Sequence, residues 1–127
     1  MYTFYQPNPA GATTIDCTVR ALTKALDLPW DDAYLLLVSA GYDLKLMPTS
    51  ASLWGYVLHQ KGWKRHLVPD TCPYCYRFRD FVRDHPEGRY VLASGDHVAA
   101  VVDGVLFDSW NSEDEILQMY WSRRNES

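Results

Sequence analysis

Apolar residues recur at helical spacing through the first two thirds of the chain. The clearest stripe consists of Ala21, Leu22, Ala25 and Leu26, which would form one buried face of a helix. The same spacing predicts four helices, over residues 17–27, 29–41, 51–62 and 75–84. We expect the second helix to end at Gly41, because glycine commonly follows the last turn of a helix.

The last third of the chain changes to the short β-rich runs that are typical of strands. Asp103-Gly104, between two of these runs, is a strong signal for a two-residue hairpin loop. Strands are predicted over residues 1–5, 63–68, 89–93, 97–102, 105–110 and 118–122, of which the last could instead form a helical turn. This order indicates one α+β domain over residues 1–127, with N-terminal helices packed against a small, mostly antiparallel C-terminal sheet.

The composition supports a packed core and restricts the partners. Of the 127 residues 47% are hydrophobic, which is enough for a core of its own. A net charge of −4 disfavours binding to a nucleic-acid backbone. No apolar run has membrane-spanning length, and Met1 to Gln6 do not resemble a signal peptide. An odd number of cysteines, three, favours a reduced compartment and a functional thiol over a disulfide framework. We therefore expect a cytoplasmic protein without nucleic-acid or membrane partners.

Cys17 directly follows Asp16, the predicted N-cap of the first helix. Unpaired amides and the positive end of the helix dipole favour a thiolate there, so the pKa of Cys17 should be lowered. The thiol would be held at the tip of a buried helix and would stay reachable from one end. The alternative is that Cys17 is a small apolar residue that completes the core stripe.

The predicted hairpin brings a histidine and an aspartate together. With its loop at residues 103–104, His97 pairs with Trp110, and Asp108 lies diagonally opposite His97 on the same face. The carboxylate is then close enough to orient the imidazole. The alternative is two ordinary polar residues on a solvated face, although the runs around them are apolar on both faces. Asn111 would lie on the opposite face and is the weaker candidate for this role.

Two segments of the chain resemble papain-like cysteine peptidases. One is Gly95 to Gly104 followed by Asp108-Ser109-Trp110, which is similar to the strand of the catalytic histidine and the Asn-Ser-Trp of the returning strand. The other is Asp16-Cys17 with Ala21 four residues later, which is similar to the family's nucleophile helix. The order Cys, His, Asn or Asp agrees as well. The whole chain is similar to small papain-like homologues of bacteria and their phages.

The resemblance implies a papain-like fold with a catalytic triad of Cys17, His97 and Asp108. Asp108 stands where the family often has Asn, a change that the wider clan tolerates. Trp110 would pack over the hydrogen bond between His97 and Asp108 and shield it from water.

The resemblance also implies a side-chain donor for the oxyanion hole. Papain has a glutamine six residues before its cysteine, whereas this chain has Gly11 there. Asn8 and Gln6 lie farther back in the same loop. We favour Asn8, together with the amide of Cys17.

Asp16 and Arg20 are four residues apart on the first helix. They could form a surface ion pair, which would contribute little to stability. Arg20 could instead support the loop before Cys17 by pairing with Asp16 or with nearby carbonyl groups. The sequence leaves both interpretations open.

The strongest competing motif is Cys72-Pro73-Tyr74-Cys75, whose spacing is that of glutaredoxin redox sites. Its position argues against that fold, because most predicted helices precede it and too little chain follows for the remaining sheet. A zinc site formed by Cys72, Cys75, His66 and His85 is a weaker alternative. The simplest interpretation is that both cysteines pack under the fourth helix.

Together these features predict a cysteine hydrolase, either a peptidase or an isopeptidase, that acts through a thioester intermediate. Its substrate would be a peptide or protein, and neither a metal nor another cofactor would be needed. An acyltransferase would use the same chemistry. The alternative from another class is a non-catalytic binding protein with the same fold, such as a phage-encoded inhibitor or decoy that would act in the host cytoplasm.

Overall fold

A computed structural model describes residues 1–11, 16–71 and 73–123 of the chain. The helices within these ranges are α1 (Cys17–Leu26), α2 (Trp30–Leu44), α3 (Ala51–Gln60) and α4 (Phe78–Asp84). The strands are β1 (Tyr2–Phe4), β2 (Trp63–Leu67), β3 (Arg89–Ala93), β4 (Val98–Val102), β5 (Val105–Asp108) and β6 (Met119–Arg123). The predicted α+β class is therefore confirmed, and β6 is a strand rather than a helical turn.

The strands form one mostly antiparallel sheet in the order β1-β5-β4-β3-β6-β2. β1 lies at an edge and pairs in parallel with β5. The hairpin between β4 and β5 has the predicted register, in which Val102 pairs with Val105. Its loop suits the sequence, because Asp103 and Gly104 have φ angles of 50° and 77°. Positive φ at both central residues is what a type I′ turn requires.

Helices cover both faces of the sheet. Neighbouring residues on a strand point to opposite faces, and β3 and β4 are almost wholly buried for this reason. Val91 and Ala100 belong to the core cluster with α1, α2 and α3, whereas Leu92 and Ala99 belong to the cluster with α4. Because α1 packs directly on β4, the start of α1 lies near the residue that precedes β4.

The predicted end of the second helix at Gly41 is wrong. Helix α2 continues to Leu44, and Lys45 takes the left-handed conformation with φ of 58°. Gly41 is needed for close packing, because a Cβ atom there would lie 2.7 Å from the carbonyl oxygen of Leu46. None of the described helices, of which α2 is the longest with 15 residues, is long and apolar enough to cross a membrane.

The predicted start of the fourth helix at residue 75 is also wrong, because α4 begins at Phe78. The residues before it pair with the segment that leads into β6. The N–H of Leu117 donates to the carbonyl of Tyr76 (2.9 Å), and the N–H of Phe78 donates to the carbonyl of Glu115 (2.9 Å). This pairing holds the backbone around Tyr76 in an extended form, so a helix cannot begin there.

The two strands that position the candidate site are shorter than predicted. β4 begins at Val98, so His97 lies one residue before it, and β5 ends at Asp108. The carbonyl of His97 accepts a hydrogen bond from the N–H of Ser94 (2.9 Å), which closes the turn before β4. The site residues therefore lie at the ends of the strands, where side chains can reach the start of α1.

Candidate active site

Cys17 is the first residue of α1 and is half-buried. Farther along the same helix Ala21 and Ala25 are buried in the core, and Cys17 packs against this cluster. The core therefore fixes the helix, while Cys17 itself stays partly exposed. The first amides of a helix lack partners within it, so this end favours a negative charge.

Asp16 occupies the N-cap position of α1, but its carboxylate makes no capping hydrogen bond, contrary to the prediction. Oδ1 accepts a hydrogen bond from Arg20 (2.7 Å), and Oδ2 accepts one from Nε1 of Trp30 (3.0 Å). Asp16 is buried, and a buried carboxylate needs a cation and strong donors. It therefore binds Arg20 and ties the start of α1 to α2.

His97 and Asp108 form a short buried hydrogen bond. Nε2 of His97 lies 2.6 Å from Oδ2 of Asp108, and the two residues are 8% and 0% exposed. The alternative of two polar residues on a solvated face is therefore wrong. Because Asp108 occupies Nε2, Nδ1 is the ring nitrogen left for Cys17, whose side chain is hydrogen-bonded to that of His97. One series of hydrogen bonds thus runs from Cys17 through His97 to Asp108.

The carboxylate of Asp108 has donors on both oxygens. Oδ1 accepts hydrogen bonds from Arg20 (3.0 Å) and from the N–H of Ser109 (2.8 Å). Oδ2 accepts a hydrogen bond from Oγ of Ser112 (2.5 Å) in addition to the one from His97. These contacts compensate for the loss of water around a buried charge and fix the direction of the carboxylate. Ser112 was not predicted as a site residue.

Arg20 links the two buried carboxylates. It is only 5% exposed, and its two terminal nitrogens bind Asp16 and Asp108. The interpretation as a surface ion pair is therefore wrong. Arg20 therefore connects Asp16, which precedes Cys17, to Asp108, which contacts His97. The four-residue spacing on the helix predicted only the contact with Asp16.

Trp110 packs on His97, with ring centroids 4.8 Å apart and an angle of 46° between the planes. Trp110 is 46% exposed, so part of the indole covers the imidazole and part faces solvent. This contact fits the shielding position that the resemblance implied. Asn111, the weaker candidate, instead accepts a hydrogen bond from the N–H of Glu113 (3.1 Å) in its own loop.

These contacts shift the pKa values of the aspartate and the histidine. Burial opposes ionisation of Asp108, but hydrogen bonds from His97 and Ser112 and the charges of His97 and Arg20 outweigh it and lower the pKa of Asp108. Burial also disfavours the charged form of His97. The hydrogen bonds to Asp108 and Cys17 outweigh this effect and raise the pKa of His97 to about 9.

The pKa of Cys17 is lowered, as the sequence predicted. Burial opposes this shift, but hydrogen bonds to the side chain of His97 and the backbone of Val98, with the positive charges of His97 and Arg20, outweigh it. A lowered thiol pKa beside a raised imidazole pKa favours a thiolate–imidazolium pair at neutral pH. The hydrogen bond to His97, which the helix argument did not include, is the largest of the effects that lower the pKa of Cys17.

A cleft of about 230 Å³ opens beside Cys17 and His97. Its lining includes Gly95 and Asp96 from the loop before β4, and Gln118, the residue before β6. A Cβ atom on Gly95 would lie 3.6 Å from Nε2 of Gln118. Gln118 is exposed and was predicted only as the start of a strand. Its place in the cleft depends on the pairing of β6 with β3, which the sequence did not reveal.

The predicted oxyanion donors lie in turns of their own loop. Oε1 of Gln6 accepts a hydrogen bond from the N–H of Asn8 (3.2 Å), and Oδ1 of Asn8 accepts one from the N–H of Ala10 (2.9 Å). Neither Gln6 nor Asn8 is among the described residues that line the cleft. Residues 12–15, which connect this loop to Asp16, lie outside the described ranges. The role of Gln6 and Asn8 as donors stays a prediction.

The redox and zinc alternatives both include Cys72, which lies outside the described residues. Cys75 lies in the segment before α4 and does not open the helix. His66 and His85 each stack on an aromatic ring. Within residues 1–11, 16–71 and 73–123, no group of three or more histidine, cysteine or acidic side chains is arranged to hold a metal ion.

Comparisons with known proteins do not assign the chain to a family. No family model matches it, and neither does any curated protein or solved structure. The resemblance to papain-like cysteine peptidases therefore rests on the residues of this chain and on the contacts among them.

Proposed function

We propose that the protein is a papain-like cysteine hydrolase, a peptidase or isopeptidase, in which Cys17 is the nucleophile. His97 transfers the proton and Asp108 orients His97. One observation carries the proposal: the hydrogen-bonded series from Cys17 through His97 to the buried Asp108, beside an open cleft. Burying an aspartate and a histidine costs free energy unless both are paired, so this arrangement is unusual for packing alone.

The reaction follows from the protonation states of the pair. The Cys17 thiolate attacks the carbonyl carbon of the scissile amide. The imidazolium of His97 gives its proton to the leaving nitrogen as the C–N bond breaks, and an acyl thioester remains on Cys17. Neutral His97 then takes a proton from water as the water oxygen attacks the thioester. The C–S bond breaks, the carboxylic acid leaves, and the thiolate–imidazolium pair is restored. Asp108 stays ionised and holds the ring through Nε2.

The cleft supports a peptide or the flexible tail of a protein as the substrate. Its volume of about 230 Å³ is small, which suits a short extended segment of chain. An amine could replace water in the second half of the reaction and would make the protein a transferase. Analysis of the product separates the two, because hydrolysis releases a free carboxylic acid and transfer does not.

One observation favours the second candidate, a non-catalytic binding protein. Gln6 and Asn8, the predicted side-chain donors, are not among the described residues that line the cleft. The amide of Cys17 would then lack the second donor that usually stabilises the oxyanion in acyl transfer. Such a protein would bind peptides in the cleft without cleaving them.

Alkylation of the cysteines tests the proposal. Iodoacetamide at neutral pH should modify Cys17 faster than Cys75 in the same sample, as measured by mass spectrometry of the digested protein. His97→Ala should slow the reaction of Cys17 by roughly 30-fold, because an ordinary thiol is only a few per cent ionised at this pH. The matched control is His59→Ala, which removes an exposed histidine on α3. Equal rates for Cys17 and Cys75, or a Cys17 rate that is indifferent to His97, would contradict the enzyme proposal.

Turnover separates the enzyme from the binding protein. An enzyme should cleave members of a peptide library, and Cys17→Ala should abolish cleavage while leaving binding of the same peptides intact. A binding protein should show the same peptide binding for both forms and no cleavage by either. Mass spectrometry of the products detects cleavage, and fluorescence anisotropy of a labelled peptide measures binding.

A further inference from the structure

Helix α2 carries large apolar side chains on the face that points away from the core. Its buried residues are Ala33, Leu37 and Gly41, which lie four residues apart along one side of the helix. On the opposite side Leu35 is 59% exposed and Tyr42 is 74% exposed. A single exposed leucine or tyrosine is ordinary, but a row of them along one helix marks a surface for contact with another protein.

The residues on this outer face follow a regular spacing. They occur at alternating steps of four and three residues, which is the spacing of a seam along which two helices pack. This row of residues, which we name the outer seam, consists of Asp31, Leu35, Val38, Tyr42 and Lys45. Val38 is half-buried and the other four are exposed. Lys45 follows the last turn of α2, but its Nζ lies 4.0 Å from the ring centroid of Tyr42, so its side chain belongs to the same surface.

Opposite charges stand at the two ends of the outer seam. Asp31 lies seven residues before Val38, and Lys45 lies seven residues after it. Tyr34 and Tyr42, which are 43% and 74% exposed, lie four residues on either side of Val38. Neither Asp31 nor Lys45 forms an ion pair with another described residue. The surface is therefore nearly symmetric about Val38 in its apolar groups and opposite in charge at its ends.

We propose that α2 is a dimer interface, on which the outer seam of a second copy of this chain packs in the antiparallel direction. A two-fold axis at Val38 then places Asp31 opposite the partner's Lys45, and Tyr34 opposite the partner's Tyr42. A parallel arrangement would bring the two aspartates together and the two lysines together, which repulsion between like charges disfavours. The surface is thus complementary to itself in the antiparallel direction, and this favours a second copy over an unrelated partner.

The size of this face indicates a weak dimer. With 15 residues, α2 is about 22 Å long. One helix face of this length lies at the low end of the sizes of specific interfaces, so we expect a dissociation constant on the order of 10–100 µM. None of the five residues of the outer seam lines the cleft of Cys17. Both copies therefore keep an open cleft, and the dimer does not depend on the proposed function.

Sedimentation velocity tests the dimer directly, because its mass is twice the 14.6 kDa of the chain. The parent protein should change from monomer to dimer as its concentration rises from about 1 to about 300 µM. Asp31→Lys and Lys45→Glu should each weaken self-association about tenfold, because two exposed ion pairs become two repulsive contacts. Asp32→Lys is the matched control, since Asp32 is also exposed but lies about 100° around the helix from Asp31, and it should keep the dimer.

A mixture of the two charge variants tests the pairing itself. In a mixed dimer the lysine introduced at position 31 faces the glutamate introduced at position 45, and the remaining Asp31 faces the remaining Lys45. The equimolar mixture should therefore associate about as tightly as the parent, although neither variant does so alone. Circular dichroism shows whether each variant is folded. Val38→Asp places two carboxylates together at the two-fold axis and should also weaken the dimer, which provides a second test if a charge variant fails to fold.

Three outcomes would overturn the dimer proposal. One is a parent protein that stays monomeric at 300 µM, and another is a dimer that Asp31→Lys and Lys45→Glu leave unchanged, since it would then form through a different face. The third is a mixture of the two folded charge variants that associates no better than either alone. The sedimentation experiment measures mass, whereas alkylation measures the reactivity of Cys17, so the dimer and the proposed function can fail independently.

Discussion

Cys17 and Asp108, the two ends of the hydrogen-bonded series through His97, differ in burial and in the number of protein groups that contact them. Asp108 is fully buried, and both of its oxygens accept hydrogen bonds from side chains or backbone around it. Cys17 is half-buried and lines an open cleft. The aspartate end is thus closed by protein groups, whereas the thiol end has space for another molecule.

Because of this difference, we expect substitutions around Asp108 to lower the stability of the fold and substitutions around Cys17 to change the reactivity of the thiol. At the closed end a charge has been removed from water, so each partner that is lost leaves a cost in folding free energy. At the open end the thiolate depends mainly on His97, and changes there should alter the rate of its reactions with little effect on unfolding. His97 belongs to both ends, because Asp108 holds one ring nitrogen and Cys17 contacts the other side of the ring.

The largest effect is expected at Arg20. Arg20→Met leaves the buried carboxylates of Asp16 and Asp108 without their shared cation, and breaking a buried ion pair in this way typically costs about 3–5 kcal/mol. The free energy of unfolding in urea should fall by this amount, with circular dichroism as the signal. If the variant unfolded at the same urea concentration as the parent, the buried ion pairs of Arg20 would not contribute to stability as proposed.

Arg79 provides the matched control for this experiment. It also forms an ion pair with an aspartate, Asp114, but both side chains are largely exposed. Arg79→Met should therefore leave the urea midpoint almost unchanged, because exposed pairs contribute little to stability. Equal losses in the two variants would show that removal of a guanidinium, rather than of a buried bridge, caused the effect.

A smaller effect is expected at Ser112, which supports the same carboxylate through one hydrogen bond. Ser112→Ala removes a donor to the buried Oδ2 of Asp108, and hydrogen bonds to charged groups contribute about 1.5–3 kcal/mol. Chemical unfolding should show a loss of this size, while Cys17 should keep most of its rate with iodoacetamide. Ser109→Ala is the control, since Ser109 binds Asp108 through its backbone N–H, which alanine retains. A loss in Ser109→Ala as large as in Ser112→Ala would argue against this assignment.

Local geometry made part of this site predictable. The sequence around the hairpin loop determined the register of β4 and β5, and that register brought His97 and Asp108 to the same face. The start of α1 could be predicted in the same way, from Asp16 before an apolar stripe. Each of these predictions depends on residues that are close together along the chain, where turn and helix geometry are nearly fixed.

The rest of the site depends on contacts between distant segments. Arg20 and Asp108 are 88 residues apart, and they meet because α1 packs on β4 and β5. Gln118 reaches the cleft because β6 pairs with β3, and no local pattern specifies that neighbour. Gly41 was taken for a helix end because the glycine signal does not show that this residue also packs closely against the side chain of Leu53 on α3.

The smallest expected effect is a pH-dependent change in the reactivity of Cys17, which arises when His97 loses its positive charge. It can be measured on the parent protein without a substitution. Because the pKa of Cys17 is lowered, its thiolate forms at a lower pH than that of an ordinary thiol. The pKa of His97 is about 9, so the imidazolium persists until the pH rises through that value. Asp108, whose pKa is lowered, remains ionised throughout this range. Between the two transitions the thiolate lies beside a positive charge, and above the second it does not.

Anionic iodoacetate should sense this change, whereas neutral iodoacetamide should not. The ratio of their rates at Cys17 should be highest below the pKa of His97 and should fall several-fold as the pH rises through about 9, because a nearby cation attracts an anionic reagent. In His97→Ala both rates should be slower and their ratio should stay constant, because the imidazolium that loses its charge in that range has been removed. A constant ratio in the parent protein would mean that the thiolate has no imidazolium beside it. The open end would then owe its reactivity to the start of the helix alone, and the functional link between Cys17 and the closed end would be lost.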